Sequence, residues 1–306
     1  MRILILCRIA LCRSRAHKMK EVMIMPADLH VHSKLSDGST EVDEIVLIAK
    51  NKGLNAVSIT DHDTLAGSDR AAVFGEKFGV RIIPGTEISC IDPATGRSVH
   101  LLCYMPSSRE RLSTMLRTTL RSRRQAVQTA AQKVICAYPI PYDMILRRSA
   151  GSGCIYKQHI MRALMDAGYT TEMFGDVFRK LFDNRFGIAK VKFDKPDVFE
   201  ALRIARESGG VTVLAHPAVY NNYDLIPALI EKGLDGIEVY YPRAREDDEK
   251  VLGDICKEHD LIMTGGTDFH GCSSSQTHPL GTCTTADDQV ERIIALAESR
   301  KSGASR

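Results

Sequence analysis

Short apolar segments recur along the 306-residue chain, and most of them precede a segment with helical periodicity. Six of these segments are rich in β-branched residues and are apolar without alternation: 55–60, 80–89, 98–104, 210–217, 234–241 and 260–270. Continuous apolar strands are typical of sheets that are buried on both faces, so we predict parallel pairing. Repeated β-α units favour an α/β fold, either a barrel or a doubly wound sheet.

The segment between the first two strands has clear helix boundaries. The pattern T-x-x-D at residues 40–43 predicts the start of a helix, and Gly53 predicts its end. Four apolar residues share one face of this helix and are expected to be buried: Val42, Ile45, Val46 and Ala49.

Residues 107–192 interrupt this alternation with helical patterns throughout. We predict an all-helical insertion, with the barrel formed by residues 26–106 and 193–298. The insertion carries 16 Lys and Arg against 6 Asp and Glu, whereas the net charge of the whole chain is only +3. This asymmetry indicates a polyanionic partner for the insertion; a solvated face of surface helices is the alternative.

Residues 1–25 are interpreted as a disordered or mis-started leader. Arg8 interrupts the apolar run and no small-residue cleavage site follows it; a signal peptide is the alternative. No apolar run reaches the roughly 18 residues of a membrane span, so no membrane partner is expected. The nine cysteines are scattered without a C-x-x-C pair, which favours a reducing cytoplasm.

Histidines and carboxylates collect at the ends of the predicted strands. They are His30, His32, His62, Glu87, His100, His216, Asp268 and His270. In a β/α barrel the carboxyl ends of the strands meet at one mouth, where catalytic groups collect. One H-x-H pair is weak evidence, because a strand edge can carry histidines. Six histidines at strand ends, with carboxylates beside them, predict a metal site.

The donor types indicate which chemistry this site supports. Imidazoles and carboxylates without thiolates suit Mn²⁺, Zn²⁺ or Fe²⁺. About nine donors exceed the roughly four to six that one ion takes, so we expect two or three divalent ions with a bridging carboxylate. Such clusters hydrolyse phosphate esters, because the ions hold phosphoryl oxygens and generate a metal-bound hydroxide that attacks phosphorus. No G-x-S-x-G elbow or P-loop offers a competing site.

Five motifs resemble, in order and spacing, those of the PHP (polymerase and histidinol phosphatase) family. They are DLHVHSKLSDG, ITDHDT, GTEIS, AHP and GGTDFHG, which span about residues 26–285. The resemblance implies a distorted (β/α)₇ PHP barrel with a trinuclear metal site. It is strongest to the small stand-alone members, which act as nucleoside 3′,5′-bisphosphate or AMP phosphatases and as 5′→3′ exoribonucleases on short RNA.

The resemblance also implies a role for each matching residue. One ion would be held by His30, His32, Glu87 and Asp268. A second would be held by Asp37, His62 and His270. A third would be held by His100, His216 and Glu87, with Glu87 as the bridge; Glu87 and Asp268 would also be the catalytic carboxylates. An aspartate at position 37 favours Mn²⁺ or Fe²⁺ over Zn²⁺, so Mn²⁺ is the expected metal.

The basic insertion would cover the barrel mouth and contact the substrate. Arg121, Arg124 and Lys157 are expected to bind phosphate, since arginine can donate two parallel hydrogen bonds to it. His159 matches a family position, and we expect it to bind phosphate or to protonate the leaving group. A helix-capping or packing role for His159 is the alternative.

We therefore expect a metal-dependent phosphoesterase that acts on nucleotide phosphomonoesters by attack of a metal-bound hydroxide. A 5′-3′ exonuclease activity on short RNA is left open as an extension of this activity. Stable binding of duplex DNA is not expected. A phosphatase for a small compound such as histidinol phosphate is the alternative enzyme, although the basic insertion argues against it. A catalytically silent binding module is a third reading, and it is disfavoured because all nine candidate ligand positions hold a metal-binding side chain.

Overall fold

The described residues form eight strands and eleven α-helices. The computed structural model describes residues 26–303 except 184, 275 and 277, so the predicted leader lies outside the described residues. The strands are β1 Ala27–Val31, β2 Ala56–Ile59, β3 Arg81–Ile82, β4 Gly85–Ile91, β5 Ser98–Tyr104, β6 Val211–Leu214, β7 Gly236–Tyr240 and β8 Ile262–Gly265. The helices are α1 Val42–Lys52, α2 Ala66–Phe78, α3 Glu110–Ala137, α4 Tyr142–Arg148, α5 Lys157–Asp166, α6 Asp176–Phe182, α7 Val198–Glu207, α8 Pro217–Tyr220, α9 Ile226–Glu231, α10 Glu246–Glu258 and α11 Asp287–Gly303.

The strands are arranged in two sheets, with the orders β1-β2-β3 and β4-β5-β6-β7-β8. Single bridges, Val31 to Phe269 and His62 to Glu87, connect their strand ends. β1, β2 and β3 pair in parallel, as do β6, β7 and β8, in agreement with the continuous apolar runs. β5 differs, since it is antiparallel to both of its neighbours. Only residues 92–97 join β4 to β5, and a parallel connection needs about a dozen residues.

The helix α1 has the buried face that its sequence predicts. Its four predicted core residues are fully buried: Val42, Ile45, Val46 and Ala49. The helix ends at Gly53, which adopts the left-handed conformation with φ of 73°. The cap at its start lies one residue later than predicted. Glu41 caps the helix and its backbone N–H donates to the Glu44 side chain, so Thr40 and Asp43 are not the capping pair.

The segment 107–192 contains the helices α3 to α6, and its described residues include no strand. The helices pack around a core of their own, in which Val134, Ile145 and Leu164 are fully buried. The start of α3 packs elsewhere, because Leu112 and Leu116 belong to the core that β4, β5 and α7 share. None of the helices in the described part of the chain combines the length and apolarity that a membrane span requires.

Candidate metal centre

His30 lies in β1 and His32 directly follows it, and the strand is buried along its whole length. Side chains two residues apart share a face of a strand, so the two imidazoles leave on the same side. Their Nε2 atoms lie 3.2 Å apart. Gly266 permits this packing, because a Cβ at that position would lie 2.3 Å from the Cβ of His30. Two imidazole nitrogens are therefore held side by side against β8.

Glu87 lies at the centre of the cluster and is 1% exposed. Its Oε1 atom lies 2.6 Å from His100 Nδ1 and 3.0 Å from His216 Nε2. Its Oε2 atom is surrounded at 3.1–3.4 Å by nitrogens of three other imidazoles, those of His30, His32 and His62. One carboxylate thus faces two groups of imidazoles with its two oxygens.

Asp37, Asp268 and His270 complete the ring of donors on the other side of His32. Asp37 Oδ1 lies 3.3 Å from His270 Nε2, and Asp37 Oδ2 lies 3.7 Å from His62 Nε2. Asp268 Oδ1 lies 3.4 Å from His32 Nε2 and 3.5 Å from His270 Nδ1. All nine side chains that the sequence singles out as ligands therefore lie in one continuous cluster.

His100 reaches the cluster from a different part of its strand than the other histidines do. His62 and His216 follow the ends of β2 and β6, whereas His100 is the third residue of β5. Because β5 runs antiparallel to β4 and β6, its starting end lies where the parallel strands finish. The reversed strand direction explains why a histidine inside a strand belongs to this site.

Two of the donor residues, which follow the ends of their strands, have unusual backbone conformations. His216 has a φ of 30° and Asp268 a φ of 48°, both in the left-handed region that residues other than glycine rarely adopt. Such conformations cost about 1–3 kcal/mol each and are found mainly at functional sites. At His216 the turn is stabilised by its backbone N–H, which donates to Glu238 Oε2 over 2.8 Å.

Glu238 is a buried carboxylate that our sequence analysis missed. It is 0% exposed, and its Oε1 atom lies 2.9 Å from His30 Nδ1. Because an ionised carboxylate only accepts, this contact assigns the ring hydrogen of His30 to Nδ1 and leaves Nε2 free to bind a metal. The feature of the sequence that could have indicated Glu238 is its charge, because it lies inside the otherwise apolar strand β7.

Asp61 and Asp63 flank His62 and support the loops around the cluster. Asp61 accepts hydrogen bonds from the backbone N–H and the hydroxyl of Ser33, at 2.8 and 2.6 Å. Asp63 accepts from the backbone N–H of Ser89 at 2.9 Å and from Arg123 Nη2 at 2.6 Å. Both carboxylates therefore act as hydrogen-bond acceptors next to the cluster.

The donor set fits divalent metal ions. Its members form four groups in which the candidate ligand atoms lie within 4.8 Å of one another: His32, Asp37, His62 and His270; His30, His32 and Asp268; His30, Glu87 and His216; and His62, Glu87 and His100. Two buried atoms at the centre, Glu87 Oε2 and His62 Nδ1, have no hydrogen-bond partner. Buried polar atoms are rarely left unpaired, so these atoms indicate ligands to an ion. Nitrogen and oxygen donors without thiolates suit first-row divalent metals.

The charges of the cluster are strongly coupled. Burial alone would raise the pKa of the Glu87 carboxyl, but the imidazoles of His100, His62 and His30 hold this pKa well below its usual range. Burial alone would lower the pKa of His32, yet its contacts with the carboxylates of Asp268 and Glu87 raise this pKa to about 10. Without metal, protons on such histidines balance the buried carboxylates, and a bound ion displaces them.

This coupling predicts how the stability of the metal-free protein depends on pH. The pKa of His32 in the folded protein lies above its ordinary value of 6.5, so its contribution is fully present below pH 6.5 and is lost as the pH rises through about 10. EDTA-treated protein is therefore expected to lose several degrees of Tm between pH 7 and pH 10, measured by differential scanning calorimetry. Protein loaded with Mn²⁺ serves as the control and is expected to lose less. An identical pH dependence of Tm in both forms would contradict the prediction.

The cluster opens into a cavity of about 430 Å³. Arg243 and His278 line this cavity, and our sequence analysis assigned a function to neither residue. Arg243 is half exposed, and its Nη2 atom donates to Asp268 Oδ2 over 2.6 Å, while Oδ1 faces the histidines. The site therefore has a cation within reach of an anionic ligand. Arg243 follows β7, and a single arginine after a strand does not predict a contact with a metal ligand.

The structure does not bring the predicted substrate-binding residues to the cavity. Arg121 and Arg124 are exposed, and Arg124 donates to the carbonyl oxygen of Gly153. Lys157 Nζ lies over the rings of Phe178 and Phe182, at 5.9 and 5.6 Å. None of these three cations is among the residues that line the cavity.

His159 also lies away from the cavity, in a helix-capping position. Its Nδ1 atom accepts a hydrogen bond from the backbone N–H of Tyr156 over 3.1 Å, which caps the start of α5. Burial is the main cause that lowers the pKa of His159 to about 4, so the imidazole is neutral near pH 7. A neutral, buried imidazole with this partner does not supply a proton to a leaving group. Its neighbour Gln158 does line the cavity and donates to Asp37 Oδ2 over 2.8 Å.

Several curated proteins are similar to the chain over most of their length. A phosphoribosyl 1,2-cyclic phosphate 1,2-diphosphodiesterase of Eggerthella lenta is 35% identical over 249 residues, 81% of this chain and 95% of that protein. A 5′-3′ exoribonuclease of Haemophilus influenzae is 30% identical over 251 residues, covering 79% and 89%. A 3′,5′-nucleoside bisphosphate phosphatase of Chromobacterium violaceum is 28% identical over 255 residues, covering 79% and 86%.

The fold has close counterparts among solved structures. A candidate metal-dependent phosphoesterase from Bifidobacterium adolescentis superimposes with a TM-score of 0.81 at 30% identity, over 89% of this chain and 96% of that chain. Fold, donor cluster and relatives together define a metal-dependent phosphoric ester hydrolase. The PHP domain profile matches residues 28–187, and the chain belongs to the PHP family.

Proposed function

We propose that the chain hydrolyses a phosphate ester on a ribose-containing compound, with nucleoside monophosphates and 3′,5′-bisphosphates as the preferred class. The observation that carries this proposal is the position of Glu87. Both of its oxygens contact imidazoles at the floor of an open cavity. The nucleotide class is supported by the bisphosphate phosphatase and the exoribonuclease among the relatives, so activity on short RNA is part of the proposal.

We further propose that the nine donors hold two or three divalent ions. His30, His32 and Asp268 would hold one ion, and Asp37, His62 and His270 a second. His100, His216 and Glu87 would hold a third, with Glu87 shared between ions as the bridging carboxylate. Asp37 adds an oxygen donor, which favours Mn²⁺ or Fe²⁺ over Zn²⁺, and Mn²⁺ is the metal of this proposal. When bound, the ions would polarise the phosphoryl oxygens and activate water.

The remaining residues of the cavity prepare the donors and bind the substrate. Glu238 orients His30, and the amide of Gln158 holds one oxygen of Asp37. Arg243 is half exposed and faces the same cavity, so its guanidinium is free to bind a phosphate with the donors it does not give to Asp268. Arg243 would then bind the carboxylate of Asp268 and the phosphate of the substrate at the same time. This arrangement would position the ester next to the metal ligands.

The segment 107–192 acts in this proposal as a substrate cap. Two of its residues, Gln158 and Phe174, line the cavity beside the metal donors. Arg123 joins the cap to the barrel through Asp63. Phosphate binding by Arg121, Arg124 and Lys157 would require a contact outside the cavity, such as the backbone of a longer RNA.

A second candidate function is hydrolysis of a cyclic phosphodiester of a phosphorylated ribose. This second function is favoured by the Eggerthella lenta relative, a cyclic phosphate diphosphodiesterase. It is 35% identical to this chain, against 30% and 28% for the other two enzymes described above, and the match covers 95% of its own length. Both candidates share a phosphorylated ribose and differ in the ester that is cut. A cytoplasmic location completes the proposal, supported by free thiols at all seven cysteines that the structure describes.

One substrate screen separates these candidates. Mn²⁺-loaded protein is incubated with AMP, adenosine 3′,5′-bisphosphate, short 5′-phosphorylated RNA, ribose 5-phosphate 1,2-cyclic phosphate and histidinol phosphate. The products are separated by chromatography, because cleavage of one bond of a phosphodiester releases no inorganic phosphate. The expected result is the highest kcat/KM on one of the ribose-containing esters and a low value on histidinol phosphate. Preference for histidinol phosphate would reject the proposed substrate class. Absence of hydrolysis of every ester would support a silent binding module.

A further inference from the structure

We propose that Phe174 is a stacking platform for the nucleobase of the substrate. The inference rests on the proposed function and names the part of the substrate that the cap binds. Phe174 precedes Gly175, the residue that caps α6, and its ring lines the cavity of the metal donors. The side chain is 37% exposed, so part of it is accessible from the cavity.

A row of rings holds Phe174 in place from behind. The rings of Phe174 and Phe178 have centroids 4.8 Å apart, and those of Phe178 and Phe182 are 5.2 Å apart. Phe182 is 2% exposed and belongs to the core of the helical segment. The row therefore runs from a packed core, through the partly buried Phe178, to the cavity, and Phe174 is its most exposed ring. Phe174 differs from the other exposed apolar residues of the segment, such as Phe186, because it lines the cavity of the metal donors.

The size and polarity of the cavity support a nucleobase as the occupant. A volume of about 430 Å³ is typical of sites for small organic ligands and exceeds what a phosphate requires. The metal donors and Arg243 supply the polar part of the lining for the phosphate. Phe174 supplies a flat apolar surface that no phosphate or sugar hydroxyl needs. Bases stack on such rings with little preference for sequence, because every base has a π-face.

The test compares two ligands that differ only in the base. AMP and ribose 5-phosphate are measured as inhibitors of p-nitrophenyl phosphate hydrolysis by the Mn²⁺-loaded protein. The wild type is expected to show a Ki for AMP about 10-fold lower than the Ki for ribose 5-phosphate. Phe174→Ala is expected to remove most of this difference by raising the Ki of AMP alone. Phe174→Trp is expected to keep it, because an indole ring also stacks.

Phe186→Ala provides the matched control. Phe186 lies in the same segment, is 79% exposed and does not line the cavity, so its removal is expected to leave both Ki values unchanged. Equal Ki values for AMP and ribose 5-phosphate in the wild type would overturn the inference. Equal weakening of both ligands by Phe174→Ala would overturn it as well. Either result leaves the proposed function standing, since that proposal fails when the screen shows no hydrolysis or a preference for histidinol phosphate.

Discussion

Replacement of Glu87 by glutamine or alanine is expected to lower kcat by about 1,000-fold or more, with little change in the fold. The two oxygens of Glu87 contact five imidazoles, so its loss removes the carboxylate shared by two groups of ligands. Ions in such sites supply several kcal/mol of charge stabilisation to the reaction, and each 1.36 kcal/mol corresponds to about a factor of ten. The measurements are kcat with Mn²⁺ and metal content by mass spectrometry.

The control for this prediction is Glu246→Gln, which makes the same chemical change at an exposed position at the start of α10. It is expected to keep wild-type activity and metal content. Circular dichroism and size-exclusion chromatography establish whether the Glu87 variants remain folded. A folded Glu87→Gln protein with full activity would disprove the bridging role of Glu87.

Replacement of Glu238 by glutamine is expected to weaken metal binding by about 10- to 100-fold, the usual effect of losing a partner that orients a ligand. Glu238 accepts from two sides, from His30 Nδ1 and from the backbone N–H of His216. An amide can accept at only one of these positions, because its NH₂ group would face a second donor. The measurement is the Mn²⁺ concentration that restores half of the activity to EDTA-treated protein.

Excess metal distinguishes the two carboxylates. Saturating Mn²⁺ is expected to restore most of kcat in Glu238→Gln, because all nine proposed ligands remain in that variant. It is not expected to restore kcat in Glu87→Gln, in which a ligand itself is missing. An unchanged metal affinity in Glu238→Gln would show that the contact with His30 has no influence on the ion.

Much of the site could be predicted from the sequence, because its donors stand at recognisable positions. His62 and His216 follow apolar runs, and strand ends in an α/β fold meet at one edge. His30 and His32 are two residues apart, which predicts that their side chains point to the same face of β1. The helical segment was predictable for a similar reason, since residues 107–192 carry helical patterns that a buried strand lacks.

The parts that could not be predicted depend on contacts between distant residues. Glu238 stands in β7, 208 residues after His30, and a single glutamate in a strand does not reveal its partner. The direction of β5 depends on the turn that precedes it and not on its composition. In α3, neighbouring arginines point in different directions, and only the packed fold shows that Arg123 is covered while Arg121 and Arg124 are exposed.

The contact between Arg123 and Asp63 has a consequence for exchanging parts between related enzymes. The Asp63 carboxylate is fully covered, and the guanidinium of Arg123 stacks within 4.2 Å of the Phe193 ring centroid while it neutralises that charge. Removing one partner of such a pair leaves the other as an unpaired buried charge and lowers the free energy of unfolding by about 3–5 kcal/mol. A chimera that takes its helical segment from one relative and its sheets from another is therefore expected to lose about this much stability when the donor segment brings no cation to this position.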